Sequence, residues 1–320
     1  DIYETKYGLT TSQRVYGTVM ENREGNGPCY LRTEGISKEQ EQDLYKAYLN
    51  MAPSQTLKWM EAGKGPSEEN VEIEGTEPYI VGGHTASGYW VDNNRATTIE
   101  GLYAAGDVAG GCPQKYVTGA LAEGEIAAEA ILEYLNGKDD DRIAAENKEE
   151  ALERGGEQEL SQTAIAKKAE YESHLNASRS LMNAEQLEEA MQKIMDQYAG
   201  GIGTDYRYSG MSLAKADEKI AALLPVVDTL AATDTYELMQ IYELRERLIV
   251  CQAVIAHLAA RKETRWHSFG ENTDYPQQSE EWMKYVNSRM ENGEIKILYR
   301  DLITKENTGL NTAEKGAGER

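Results

Sequence analysis

Gly101-Leu-Tyr-Ala-Ala-Gly-Asp-Val-Ala-Gly-Gly111 decides how the chain is read. A short apolar strand ends in Gly106-Asp107, glycines follow, and an alanine-rich helix opens at about Thr118. The Asp107 carboxylate can accept hydrogen bonds from a hydroxyl-rich ligand. Gly106, Gly110 and Gly111 allow the backbone to come close to such a ligand and to take positive φ without a Cβ clash. The helix start, Thr118-Gly119-Ala120-Leu121, offers free N–H groups and a positive dipole end, which suit the electron-rich edge of a bound group. A plain strand-turn-helix of any α/β protein reads the same way, so the neighbouring motifs must decide.

Upstream, Gly82-Gly83-His84-Thr85 follows a predicted strand, Tyr79-Ile-Val81. Two glycines before a histidine let the turn at Gly83 pass close to a flat ligand and present the imidazole of His84. Such a group can donate to an oxyanion or move a proton near neutral pH. A lone histidine is more often structural, but the double glycine and the nearby Asp107 favour a site role here. His174, His257 and His267 have no comparable setting, and His257 reads as a core or boundary residue of a helix.

The 320 residues carry a net charge of −22. That balance argues against nucleic acid and anionic membranes as partners. An anionic substrate needs a local basic pocket set against it. Cys29, Cys112 and Cys251 are odd in number and far apart, with no Cys-x-x-Cys, so the chain is expected to hold neither zinc nor an iron–sulfur cluster of its own. The expectation for the thiols is free and buried. No apolar run reaches the roughly 20 residues of a membrane span. These features predict a cytoplasmic protein without membrane insertion. Gly-x-Gly-x-x-Gly, the pyrophosphate cradle of dinucleotide-binding folds, does not occur, which leads to the expectation of a C-terminal part of a longer protein.

Along the chain, Ser12 to Glu24 reads as a helix stopped by Gly25-Asn-Gly-Pro28, and Tyr30 to Thr33 as a short strand. Lys38 to Met60 reads as helix broken near Pro53. Val71-Glu-Ile73, Tyr79-Ile-Val81, Tyr89-Trp-Val91 and Gly101 to Ala105 read as strands. The helix from Thr118 is expected to end at Asn136-Gly137, with Lys138-Asp-Asp-Asp-Arg142 as a linker. From about Ala151 to Lys262 apolar residues recur at helical spacing, with Leu238, Ile241, Leu244, Leu248, Ile249 and Ala253 on one face, so a bundle is predicted. Residues 303–320 read as a disordered or partner-bound tail.

The order of these motifs resembles the succinate dehydrogenase/fumarate reductase flavoprotein superfamily. Gly82-Gly83-His84 precedes Ile99-Glu-Gly-Leu-Tyr-Ala-Ala-Gly-Asp107, and a helical region follows. Met20-Glu-Asn-Arg-Glu-Gly-Asn-Gly-Pro28 is similar to the superfamily's capping-domain motif. Arg261-Lys-Glu-Thr-Arg-Trp-His-Ser268, Asp274-Tyr-Pro276 and Trp282-Met-Lys284 are similar to its C-terminal pattern. Within it, the blocks Val81 to Val91, Gly111 to Gly124 and Arg265 to Pro276 resemble the dissimilatory adenylylsulfate reductase α-subunit family.

The resemblance implies a mixed α+β and α/β fold, the C-terminal part of a fumarate-reductase-type flavoprotein. Residues 1–78 then belong to the capping domain, 79–140 to the closing segment of the FAD-binding domain, 141–270 to a helical domain, and 271–320 to a C-terminal extension. It implies a noncovalent FAD at Gly83, Gly106, Asp107, Thr118, Gly119, Ala120 and Leu121, and a catalytic His84. It implies reduction of adenosine 5′-phosphosulfate to AMP and sulfite, or the reverse. A ferredoxin-like β subunit would carry the [4Fe–4S] clusters.

Arg14 and Lys115 are weaker candidates for anion binding, each with solvated surface charge as its alternative. Dicarboxylate enzymes of the superfamily place one arginine where this chain has Thr11 and another in a block replaced here by Cys112 to Thr118. Without those guanidinium groups a dicarboxylate clamp is lacking. Other fumarate reductase, succinate dehydrogenase or aspartate oxidase types, and a non-catalytic helical fragment, are the alternative readings.

Overall fold

The computed structural model describes residues 11–73, 87–111, 117–178, 180–265 and 270–302. They fall into two compact units, one within residues 1–78 and one within residues 79–265 and 270–320.

In the first unit, α1 (Thr11–Arg23) stops at Gly25, whose φ of 82° a Cβ would oppose. β1 (Cys29–Leu31) pairs antiparallel with β2 (Val71–Ile73), Cys29 facing Ile73. α2 (Lys38–Met51) begins with a reciprocal cap, in which the Ser37 side chain accepts from Gln40 N and the Gln40 side chain accepts from Ser37 N. Pro53 breaks the helix as its sequence requires, and α3 (Pro53–Ala62) restarts with that proline in its first turn. Trp59 of α3 packs edge-on against Tyr45 and Tyr48 of α2, centroids 5.1 and 5.0 Å away.

In the second unit, the expected strands at 89–91 and 101–105 are reduced to single bridges, Tyr89 with Ala109 and Ala96 with Tyr103. A strand is sustained by its ladder. The predicted neighbour Tyr79-Ile-Val81 lies outside the described residues.

The helix expected to end at Gly137 does not end there. α4 runs from Val117 to Leu175, 59 residues, through the predicted linker. At 1.5 Å per residue it is about 90 Å long. The physical reason lies in the sequence around the glycine. Residues 138–160 are rich in Ala, Glu, Lys, Leu and Arg, all strong helix formers, and Gly137, like Gly155 and Gly156 further on, costs only about 1 kcal/mol against them. Gly137 keeps a helical backbone rather than the left-handed turn of a C-cap.

Three further helices form the bundle: α5 (Ala184–Tyr198), α6 (Gly210–Val227) and α7 (Thr235–Ala260). Asn183, Ser209 and Asp234 cap them with side-chain oxygens that accept first-turn N–H groups. Leu187, Leu213, Ile220, Leu244 and Leu248 are almost wholly buried in their common core. Of the predicted face of α7, Ile241, Leu244 and Leu248 are buried and Leu238 packs partly, whereas Ile249 is 37 % exposed. α4 joins this bundle at its far end. His174 is buried there with its Nδ1 2.7 Å from Leu230 O, and Tyr171 packs edge-on against Tyr242 of α7.

Downstream, β3 (Arg207–Tyr208) pairs in parallel with β4 (Glu271–Asn272). β5 (Lys284–Glu291) and β6 (Glu294–Asp301) form an antiparallel hairpin that packs on α7. This hairpin lies within the expected extension, 271–320, and the tail, 303–320, lies outside the described residues. Its turn is Asn292-Gly293, with φ of 51° and 82°. Asn-Gly between alternating residues is a strong short-range hairpin signal, and it stands in the sequence. Cys29 and Cys251 are free and half-buried rather than buried, and Cys112 lies outside the described residues. Burial pushes the Cys251 thiol up to about 11. No helix among the described residues is long and apolar enough to cross a membrane.

Candidate functional site

The Gly106–Val108 segment forms one 3-10 turn. Gly106 takes φ of 73° and is buried, and a Cβ there would stand 3.2 Å from the Ala120 Cβ of α4. The glycine therefore lets the turn lie directly on the first turns of α4. Asp107 is exposed beside it.

The turn is held from behind by Gly88 and Tyr89. Tyr89 N donates to Val108 O at 2.7 Å, and Gly110 N donates to Tyr89 O at 2.8 Å. A Cβ on Gly88 would meet Val108 O at 2.5 Å, so only glycine fits this approach. Val91, Ala104 and Ala109 form the small core under the turn. Trp90 stacks under the Arg300 guanidinium of β6 at 4.1 Å, which ties the hairpin to this segment.

α4 begins at Val117 with no acidic residue in its own first turn. Thr118 and Leu121 are exposed, and Gly119 and Ala120 are half-buried. Around the turn, Val108 is 51 %, Val117 74 % and Leu121 70 % exposed. Apolar side chains grouped around an exposed carboxylate and a helix N-terminus make a surface built to be covered. The arrangement fits a cofactor with a hydroxylated chain and a flat ring: a carboxylate for hydroxyls, free N–H groups for an electron-rich edge, apolar contacts for the ring.

Six of the predicted site residues are thus brought together or made neighbours: Gly106, Asp107, Thr118, Gly119, Ala120 and Leu121. Gly83, His84 and Lys115 lie outside the described residues. Arg14 lies on α1 in the first unit, and its side chain is outside the described ones. Among the described residues no cluster of His, Cys, Asp or Glu could hold a metal ion.

Sequence reasoning missed Gly88, Arg95 and Glu123. Arg95 Nη2 lies 3.2 Å from Glu123 Oε1, both side chains largely buried. A single Arg and a single Glu, 28 positions apart, leave no pattern to read. Arg261, Glu263 and Arg265 belong to the C-terminal pattern of the resemblance, and their sequence alone carries no role for them. Glu263 has a fully buried side chain between the two arginines. Arg261 also donates to Trp282 O and Lys284 O, each at 2.9 Å, and Arg265 donates to Ser279 O at 2.9 Å. Burial alone would raise the Glu263 carboxyl. The hydrogen bonds from Arg265, Ser279 N and Arg261 prevail and hold it below the usual carboxylate range.

Comparison with known proteins follows the same geometry. The family described as fumarate reductase flavoprotein C-term matches residues 188–314. The adenylylsulfate reductase subunit alpha of Megalodesulfovibrio gigas is 28 % identical over 90 % of this chain and 48 % of its own length. The adenylylsulfate reductase structure from Archaeoglobus fulgidus superposes with a TM-score of 0.75 at 29 % identity, covering 93 % of this chain and 52 % of that one. An adenosine-5-phosphosulfate reductase in complex with sulfite, as a covalent adduct, gives 0.76 at 30 % identity, covering 94 % and 52 %. The E. coli quinol fumarate reductase shares the fold alone, with a TM-score of 0.65 at 19 % identity over 92 % of this chain and 49 % of that one. The chain spans about half the length of the relatives it matches. The chain is similar to adenylylsulfate reductase α subunits over most of its own length, and it has the fold of the C-terminal part of fumarate-reductase-type flavoproteins.

Proposed function

We propose that this chain forms the flavin-closing segment and helical domain of an FAD-dependent adenylylsulfate reductase α subunit. The observation that carries the reading is the Gly106-Asp107 turn lying on the first turns of α4, in a chain that superposes over 94 % of its length on a sulfite-bound relative. Asp107 would accept hydrogen bonds from ribityl hydroxyls. The N–H groups of Thr118 to Leu121 would face the electron-rich edge of the ring, and Gly83 would let the backbone approach it. FAD, when bound, supplies the exchange of two electrons. His84 would donate a hydrogen bond or proton beside the sulfate group. The overall change is adenosine 5′-phosphosulfate plus two electrons and two protons to AMP and sulfite, or its reverse, with the bond between the sulfur and the phosphate oxygen broken. Electrons would come from a ferredoxin-like β subunit with two [4Fe–4S] clusters, in the cytoplasm. Arg14 and Lys115 are candidate anion contacts. The regions 1–78, 79–140, 141–270 and 271–320 would serve as capping, FAD-binding, helical and extension parts.

The sequence disfavours a dicarboxylate substrate. A buried dianion without guanidinium partners carries an uncompensated desolvation cost of several kcal/mol. The test is a paired assay of the protein with its iron–sulfur partner, reduced viologen as donor, adenylylsulfate and fumarate in turn. Turnover of adenylylsulfate alone is expected, reduced on the order of 100-fold by His84→Ala with FAD still bound. Fumarate turnover without adenylylsulfate turnover would assign the protein to the dicarboxylate enzymes. A colourless preparation would leave only a helical scaffold.

A further inference from the structure

Arg95 is one of the few non-glycine residues with positive φ, at 66°. It follows Asn93-Asn94, either of which tolerates that conformation better. The loop is nevertheless wound so that Arg95 takes it. Asp92 Oδ1 accepts from Asn94 N at 2.8 Å and from Ala96 N at 2.9 Å, and Arg95 N donates to Asp92 O at 3.1 Å. The result turns the guanidinium inward, where Nη1 donates to Asp92 O and Nη2 meets Glu123 Oε1 at 3.2 Å.

Glu123 is 5 % exposed. Among the described residues its Oε2 has no hydrogen-bond partner, and neither has Arg95 Nε. A fully satisfied pair adds little to stability, and one with orphaned buried atoms adds less. Stability therefore does not explain the pair, and its placement does. Arg95 O accepts from Ala104 N at 3.0 Å, two residues before Gly106. Glu123 lies three residues after Ala120, the contact of Gly106, so both lie on one face of α4, one turn apart. The loop thus grips α4 at two successive points. One is the Gly106 contact, and the other is a pair of opposite charges buried where salt screens weakly.

We propose that Arg95 and Glu123 are positioning residues that set the Asp107 turn against the start of α4 and so tune the affinity and reduction potential of the flavin. The inference rests on the FAD reading above. The two charges act with opposite sign on an electron-rich, reduced flavin. Removing the carboxylate leaves the guanidinium, which favours the reduced form. Removing the guanidinium leaves the carboxylate, which opposes it.

The test is redox titration and FAD titration of the purified wild-type protein with Glu123→Gln and Arg95→Gln. Glu123→Asp, which keeps the charge and withdraws it by one methylene, serves if Glu123→Gln does not fold. Both Gln variants should bind FAD more weakly, on the order of tenfold, the range of coupling between contacting groups. The midpoint potential should rise in Glu123→Gln and fall in Arg95→Gln, and Glu123→Asp should weaken FAD with a smaller shift. Unchanged affinity and potential, or shifts of one sign in both Gln variants, would overturn the proposal even if thermal stability drops. A wild-type protein that binds no FAD would overturn the flavin reading itself, and this inference with it.

Discussion

Asp107 was legible because its chemistry is written in adjacent residues: an apolar run, a glycine, a carboxylate, more glycines, then a helix. The backbone has the expected positive φ at Gly106 and Gly111 but not at Gly110, and the carboxylate is exposed. Asp107→Ala should weaken FAD by about 1.5–3 kcal/mol, the worth of a hydrogen bond to a charged group, or about 10- to 150-fold. Flavin retention through gel filtration, followed by equilibrium titration, measures this. An unchanged dissociation constant would remove Asp107 from the site. Gly88 was not legible, since its need for glycine arises from the backbone of Val108 to Gly110, about twenty residues away.

At the scale of elements, capping signals located the helices better than they located their ends. Ser37, Asn183, Ser209 and Asp234 start helices through their own side chains, a local interaction. The end of α4 depended instead on whether a glycine would take a left-handed turn, and Asn136-Gly137 permits both outcomes. The helical state of Gly137 has a measurable consequence. No atom lies within 4 Å of a Cβ placed there, so Gly137→Ala should stabilise the protein by up to about 1 kcal/mol. Chemical denaturation with circular dichroism would show it as a higher midpoint. A lower midpoint would mean that the residue caps a helix and that the linker reading was right. The hairpin was overlooked for a different reason: Asn292-Gly293 was present, but the flanking residues mix charges with apolar groups on both faces. Its strands are only partly buried, so alternation is weak.

In the second unit, the end of α7, the 3-10 turn at Glu280–Trp282 and the start of the hairpin meet around the Arg261–Glu263–Arg265 cluster. One buried carboxylate satisfies two arginines whose remaining N–H groups hold the neighbouring backbone. Breaking such a cluster from one side leaves uncompensated buried charge, so Glu263→Gln should cost about 3–5 kcal/mol. The pH dependence follows from the depressed Glu263 carboxyl. Its contribution is complete above the unfolded-state value of about 4.3 and is lost as pH falls below that, through the folded-state value. Wild type should therefore lose more stability than Glu263→Gln between pH 7 and about pH 3, as urea midpoints at each pH would reveal. Parallel acid limbs would show that Glu263 is not the coupled group.

The sequence by itself determined the helical bundle, the Gly106-Asp107 turn and the likeness to a flavoprotein family. Each is encoded in short-range patterns: apolar spacing along one helix, a cap beside its helix, a carboxylate between glycines. Tertiary structure alone decided what those pieces touch. The close approach at Gly88, the Arg95–Glu123 grip and the Glu263 clasp each join residues whose separation or neighbours carry no periodic signal. Contacts of that kind are selected by shape and charge in three dimensions, after the local elements have formed.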